Sequence, residues 1–242
     1  MKRYLIAFIS FTTLILSSAS AEENTLFHPI EHASLVITNA ELTILVDPVG
    51  ELKNYQKFSP PDIILITHTH HDHFNKDLVN QLKQEKTIII GPQAVIDELG
   101  NGEILNNGEQ IEVESTKIEA VPMYNTSPER LNFHPKGAGN GYVITLNKQR
   151  IYIAGDTEDI PEMRALKDIE YAFICMNLPY TMTVEQAASA VLEMQPKTVI
   201  PYHYREKDGF SDLNKFQTLL SKNPDIKINL LNWYPKDKPT NE

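Results

Sequence analysis

A mixed α/β fold is expected, with two strand-rich halves whose sheets pack together and carry helices outside. Three features of the chain lead there. Runs of aliphatic and β-branched residues recur along its whole length, segments with helical spacing separate many of them, and no low-complexity linker divides the 242 residues. One domain suffices, because a single core commonly serves chains of about 50 to 250 residues.

The runs "SLVIT" and "LTILVDP" flank the turn-prone pair Asn39-Ala40 and form an opening hairpin. Ile63 to Thr67 reads as a buried strand. Lys76 to Gln84 follows as a helix with Leu78, Val79 and Leu82 on one face, then the strand "TIII" and a helix after Pro92. From Ile104 to Tyr124, short apolar and polar runs alternate between Asn and Gly turns, as antiparallel strands do. "GYVITL" and "RIYIAG" flank a turn at Asn147-Lys148, and a short helix near Ile160 to Leu166 leads to the strand "YAFICM". A clearer helix starts at Thr183, which forms a capping-box spacing with Gln186 and is followed by Val184, Ala187, Ala188, Val191 and Leu192 on one face. The strand "TVIPY", a helix near Asp212 to Ser221 and a strand at Ile226 to Leu231 complete the series.

The first 21 residues read differently. Lys2 and Arg3 precede an apolar stretch from Leu5 to Leu16 and a small-x-small end at Ala19-Ser20-Ala21, the pattern of a secretory signal cleaved after Ala21. A membrane-spanning helix needs about 20 apolar residues. This stretch is shorter and is broken by Ser10, Thr12 and Thr13. Residues 1–21 are therefore expected to be a signal peptide and 22–242 one domain, periplasmic or secreted, with no stable membrane association after processing. The single cysteine, Cys175, lies in an apolar run and excludes an intrachain disulfide. Without Lys2 and Arg3 the chain has 20 basic against 32 acidic residues, a formal charge of −12. Nucleic acid is not an expected partner, because its binding draws on clustered Lys and Arg.

The segment "LITHTHHDHF" (Leu65 to Phe74) places four of the eight histidines, with Asp72, directly after the apolar run "DIILI". Imidazole nitrogen and carboxylate oxygen are the ligands of zinc in hydrolytic sites, which keep one position open for water. His68 and His70 are two apart, so extended backbone points both to one side. Asp72 and His73 follow in the turn, and H-x-H-x-D-H lets one short loop supply two adjacent metals. The bland alternative is a solvated histidine-rich loop. Against it stand matching groups downstream: His134 in "NFHPKG", Asp156 in "IAGDTED" and His203 in "IPYHY", the last two at the ends of apolar strands.

With "THTHHDH", "GDT" and a later strand-end histidine, the chain beyond its leader resembles the metallo-β-lactamase-fold hydrolase superfamily. The resemblance implies a four-layer αββα sandwich of two β-sheets with outer helices and a dinuclear metal site at the sheet edge. It implies His68 and His70 as ligands of a first metal, Asp72, His73 and His203 as ligands of a second, and Asp156 as the bridging carboxylate. His71 falls at a variable position. The strand "KIEAVPMYN" ends in Tyr124-Asn125, and His134, nine residues further on, is the expected third imidazole of the first metal. The alternative for His134 is a surface or substrate-contacting role. "YNTSPERLNFHPKGAGNGYVI", "IYIAGDTEDIPEM" and "MNLPYTMTVEQAA" are similar to a bacterial subgroup related to the ascorbate-6-phosphate lactonases.

The expectation is a dinuclear hydrolase that holds two divalent ions, zinc first and Mn2+ or Fe2+ as alternatives, and uses a metal-bound hydroxide on a small ester, lactone or phosphodiester. Asp72 and Asp156 are the candidate catalytic residues, Asp72 orienting the attacking water or shuttling its proton. Asp156 stands where class B1 β-lactamases carry a cysteine ligand, which weighs against β-lactams. A β-lactam or thioester hydrolase and a non-catalytic zinc-binding or storage protein are the competing readings. The latter would tend to close its coordination shell with histidine or cysteine. A small molecule is the expected partner, and the oligomeric state is not legible. Tyr124, Asn125, Tyr180, Tyr204, Lys136, His32 and Asp47 flank the motif segments as weaker candidates.

Overall fold

Alternation along the strands of the first half sends side chains into two different cores. Six strands, β1 (Leu26–Glu31), β2 (Ser34–Thr38), β3 (Thr43–Val46), β4 (Ile63–Leu65), β5 (Ile88–Gly91) and β6 (Glu103–Ile104), form one sheet in chain order. Val36, Leu45, Ile64 and Ile89 face outward onto Leu78, Val79 and Leu82 of α1 (Lys76–Leu82) and Val95, Ile96 and Leu99 of α2 (Gln93–Leu99). Leu35, Ile37, Ile44, Val46, Ile63, Leu65 and Ile90 face the opposite way, into a core shared with the second sheet. Each such buried aliphatic side chain contributes about 1.5–3 kcal/mol. A strand buried on both faces must therefore be apolar at every position, as β4 is. These observations come from a computed structural model that describes residues 25–235; the expected signal peptide lies outside them.

The second sheet comprises β7 (Gln110–Val113), β8 (Thr116–Met123), β9 (Gly139–Leu146), β10 (Gln149–Ile153), β11 (Tyr171–Ile174), β12 (Thr198–Pro201) and β15 (Lys227–Ile228), in the order β15-β12-β11-β10-β9-β8-β7. β13 (Arg205–Glu206) and β14 (Gly209–Phe210) form a separate ribbon. Helices α3 (Pro161–Arg164), α4 (Val184–Met194) and α5 (Leu213–Leu220) belong to this half, and Ala187, Val191, Phe216 and Leu220 are buried in its core. The layers are thus α, β, β, α. Each sheet opens with antiparallel strands and ends with parallel ones. Thr183 caps α4 as its spacing predicts: its hydroxyl accepts from Gln186 N, and Gln186 Oε1 accepts from Thr183 N.

Several elements differ from expectation, the β13–β14 ribbon among them. β1 is absent from the sequence reading because Pro29 interrupts "LFHPIE"; it is an edge strand, where a missing N–H need not break a ladder. The expected Ile160 to Leu166 helix is a single turn, and the last strand shrinks to two residues at the opposite edge. β8, β10 and β12 run in the same direction, so the segments after their C-terminal ends share one edge of the second sheet. The loop after β4 meets that edge from the first sheet.

Candidate metal centre

Two adjoining clusters occupy this edge. In one, a ligand atom from each of His68, His70, His134 and Asp156 lies within 4.8 Å of every other; in the second the same holds for Asp72, His73 and His203. Asp156 links them. Its Oδ2 is 3.3 Å from His134 Nε2, while its Oδ1 is 3.3 Å from His73 Nε2 and 3.4 Å from His203 Nε2. His203 Nε2 is also 3.4 Å from Asp72 Oδ2. His71 is exposed and belongs to neither cluster.

Local structure explains how each group is aimed. Asp156 follows Gly155, whose φ of 65° and close approach to Asn140 O (3.1 Å from a notional Cβ) leave no room for a side chain. His203 follows β12 in the left-handed region, at φ 45°, a conformation that costs a non-glycine residue about 1–3 kcal/mol. Its N–H donates to His32 O at 3.3 Å.

Asp47, buried at the end of β3, organises the histidine loop. Its Oδ1 accepts from Thr67 N and its Oδ2 from Thr67 Oγ1 and His73 Nδ1, all at 2.7 Å. The single hydroxyl proton of Thr67 goes to Asp47, so Thr67 Oγ1 accepts from His68 Nδ1, 3.0 Å away. Both imidazoles then hold a proton on Nδ1 and present Nε2 to the site, where an ion would take the place of any second proton. This support was only a weak candidate in the sequence, since "LVDP" equally describes a turn cap.

The loop carrying His134 is held by Glu158, which the sequence did not single out. Buried Glu158 accepts from Thr126 N at 2.6 Å, Thr126 Oγ1 at 2.8 Å, Ser127 N at 2.6 Å and Arg130 Nη1 at 2.5 Å. Burial pushes its carboxyl up, but these donors prevail and hold it at about 2. Asn125 is buried beneath the loop: its N–H donates to His134 O at 2.8 Å and its amide donates to Arg130 O and Tyr180 O. Tyr180 O lies 3.2 Å from His134 Nδ1 and accepts its proton, so Nε2 is left as an acceptor facing the Asp156 carboxylate, 3.3 Å away. Asn125 thus braces the loop and stands outside both clusters.

The electrostatics differ between the clusters. Burial, then the neighbouring imidazoles, hold His68 and His70 below their ordinary range, so both are neutral and can act as ligands. For His73 and His203 burial lowers the pKa, but Asp156 outweighs it together with Asp47 at His73 and Asp72 at His203, and both are raised. Asp156 is held well below the carboxylate range: burial opposes this, and the charges of His203 and His73 overcome it. Asp72, half-buried, is depressed likewise by His203 and His73 against its burial.

Whether metal fits is decided by what the buried atoms lack. His73 Nε2, His134 Nε2, Asp156 Oδ1 and both ring nitrogens of His203 are buried without a hydrogen-bond partner. Such orphans are costly unless something else binds them. Five imidazoles and two carboxylates converging on shared space form a donor set that suits divalent cations.

The remaining candidates serve other ends. His32 lies between His203 and Tyr234, with ring centroids 5.8 and 5.5 Å away, and burial followed by the His203 and Arg205 charges lowers it to about 4. Tyr124 OH donates to Glu162, and Lys136 stacks on the Tyr124 ring and pairs with the same carboxylate. Tyr204 packs on Tyr234. Cys175 is a core residue whose thiol is pushed up to about 12 by burial and then by the Asp156 charge.

A family model described as the beta-lactamase superfamily domain matches residues 28–203. A UPF0173 metal-dependent hydrolase of Salinibacter ruber is 29% identical over 203 residues, 77% of this chain and 88% of the relative. One from Ligilactobacillus salivarius is 31% identical over 183 residues, 72% of this chain and 82% of the relative. The crystal structure of a Parabacteroides distasonis protein assigned as a metal-dependent hydrolase superimposes with a TM-score of 0.79 at 41% identity, covering 86% of this chain and 93% of that one. Matched along most of its length in sequence and in fold, the chain belongs to the metallo-β-lactamase superfamily, among its metal-dependent hydrolases.

Proposed function

We propose that the protein is an exported hydrolase that works with two divalent ions, zinc in the first instance, on a small ester, lactone or phosphodiester. The division of Asp156 between two clusters carries this reading: one oxygen faces His134, the other faces His73 and His203. A carboxylate used in both directions suits a bridge between two ions. The open, half-exposed position of Asp72 argues against a closed storage site.

Bound divalent ions supply a water of lowered pKa and polarise the scissile bond. The chain does the rest. Asp47 and Thr67 keep the His68 and His73 rings in one tautomer, so their lone pairs need no rearrangement. Glu158 and Asn125 keep the His134 loop in place. Asp72, the carboxylate nearest solvent, takes the proton from the attacking water and passes it to the leaving group.

The test is elemental analysis of the purified protein beside a panel of lactones, phosphodiesters, thioesters and β-lactams. About two ions per chain, with turnover of oxygen esters, is the expected result; two tightly held ions with no turnover of any member would favour storage. Export rests on the leader sequence. Intact mass of the secreted protein should begin at Glu22, and a chain retaining Met1 to Ala21 would overturn it.

A further inference from the structure

A cavity of about 590 Å3 is lined by residues flanking the first cluster's ligands in the chain. Thr69, between His68 and His70, lines it, as do Gly137 and Ala138 at the end of the His134 loop. Asn140, also in the wall, donates its backbone N–H to Thr67 O at 2.9 Å, immediately before His68. Whatever fills this space lies beside the loops that carry His68, His70 and His134.

The chemistry of the far wall is set by carboxamides whose orientation is fixed by their partners. Asn107 Nδ2 donates to Gly139 O at 2.9 Å and to Asn140 Oδ1 at 2.6 Å, which uses both amide hydrogens and leaves Oδ1 as its only free function. Asn140 cannot turn over, because its own Nδ2 donates to Leu105 O at 2.7 Å. Gln93 Nε2 donates to Asp97 Oδ1 at 2.6 Å, and Asn106 Nδ2 to Glu109 Oε2 at 3.0 Å. Each therefore keeps its carbonyl oxygen and one hydrogen. With the Thr69 hydroxyl and the second oxygen of Asp97, the wall offers acceptors in excess, a few donors, and no lysine or arginine among its described lining residues.

An anionic group would meet Asp97 without a counter-charge. A cation would find one exposed carboxylate, already engaged, whose attraction is screened by water. Hydroxyl groups both donate and accept, and fit the whole set. We infer that this cavity holds a neutral, polyhydroxylated part of the substrate. The inference rests on the hydrolytic reading for its purpose, and on the amide geometry alone for its ligand.

Binding and turnover separate the two. With the zinc-reconstituted full chain, D-sorbitol should shift the side-chain amide signals of Asn107 and Gln93 in heteronuclear NMR. It should bind at least tenfold more tightly than sorbitol 6-phosphate or 1,5-diaminopentane. Asn107→Leu and Gln93→Leu, on different segments so that a folding defect in one does not decide the matter, should each weaken sorbitol at least tenfold with backbone spectra and metal content retained. Absence of saturable shifts, equal binding of a charged probe, or two well-folded variants with wild-type affinity would overturn the inference. In turnover, glucono-δ-lactone should exceed δ-valerolactone by roughly 100-fold in kcat/KM, less than the roughly 10⁴–10⁵-fold of buried hydroxyl-binding sites because Gln93, Asp97 and Asn106 are exposed to water. Equal rates would also overturn it. Sorbitol binding that survives while neither lactone reacts upholds the cavity's ligand and sinks lactone hydrolysis instead.

Discussion

His73 Nδ1 lies 2.7 Å from Asp47 Oδ2, with both side chains sealed from solvent. Asp47 also accepts two bonds from Thr67, so every hydrogen bond its carboxylate makes requires an acceptor. Asp47→Asn replaces one acceptor by a donor without changing shape. It should therefore weaken ion binding at the His73 cluster by about 10–100-fold while the fold persists. Competition with a chromophoric chelator measures this. Unaltered affinity for both ions would show that Asp47 only closes a turn.

The same pairing sets a proton balance. In the metal-free protein the carboxylate neighbours raise His73 and His203 above the ordinary imidazole range against the effect of burial, and so favour their protonated forms. Their contribution to stability is complete below the unfolded value near 6.5 and is lost as pH rises through the raised folded value. Ion uptake at this cluster must displace those protons. Titration calorimetry in buffers of different ionisation enthalpy should report net proton release, with affinity falling as pH falls. A release near zero at pH 7 would contradict the charge state assigned to these histidines.

Asp156→Ala removes the carboxylate that faces both clusters. Metal content should drop from about two ions towards one or none, and hydrolysis should fall by several orders of magnitude while circular dichroism stays native. Two ions and near-normal turnover in this variant would disprove the bridge.

His134→Ala deletes one imidazole of the first cluster and should weaken its ion by well over 100-fold, with partial rescue of activity by excess metal. Glu158→Gln leaves the imidazole but loosens its loop, since a neutral amide cannot satisfy Arg130 and the Thr126 and Ser127 amides together. A smaller loss of affinity is expected, with a stability cost of about 2–4 kcal/mol read from denaturant melts. If His134→Ala keeps unchanged cobalt ligand-field bands, the histidine contacts substrate instead.

Groups acting through near neighbours were legible in the sequence. The H-x-H-x-D-H spacing, the Thr183 and Gln186 cap and the apolar β4 run are all local patterns, and each reappears as an element or cluster in space. Long-range partners were not. Glu158 reads as one more charge in "GDTED", because nothing nearby announces that the 126–130 segment returns to it. Likewise the cavity amides come from unrelated local settings, Gln93 opening α2 and Asn107 lying in a turn, and neither announces the other. β1 was hidden by Pro29, a strand breaker anywhere except at an edge.

Neither half of this chain owns a complete site. His68, His70, Asp72 and His73 hang from the first sheet, whereas His134, Asp156 and His203 hang from the second, and each cluster draws on both. Ions held there would act as rivets across the interface between the sheets. A cut in the β6 to β7 connection would leave two fragments, neither able to hold an ion as the intact chain does. Adding metal to the mixed fragments should draw them together.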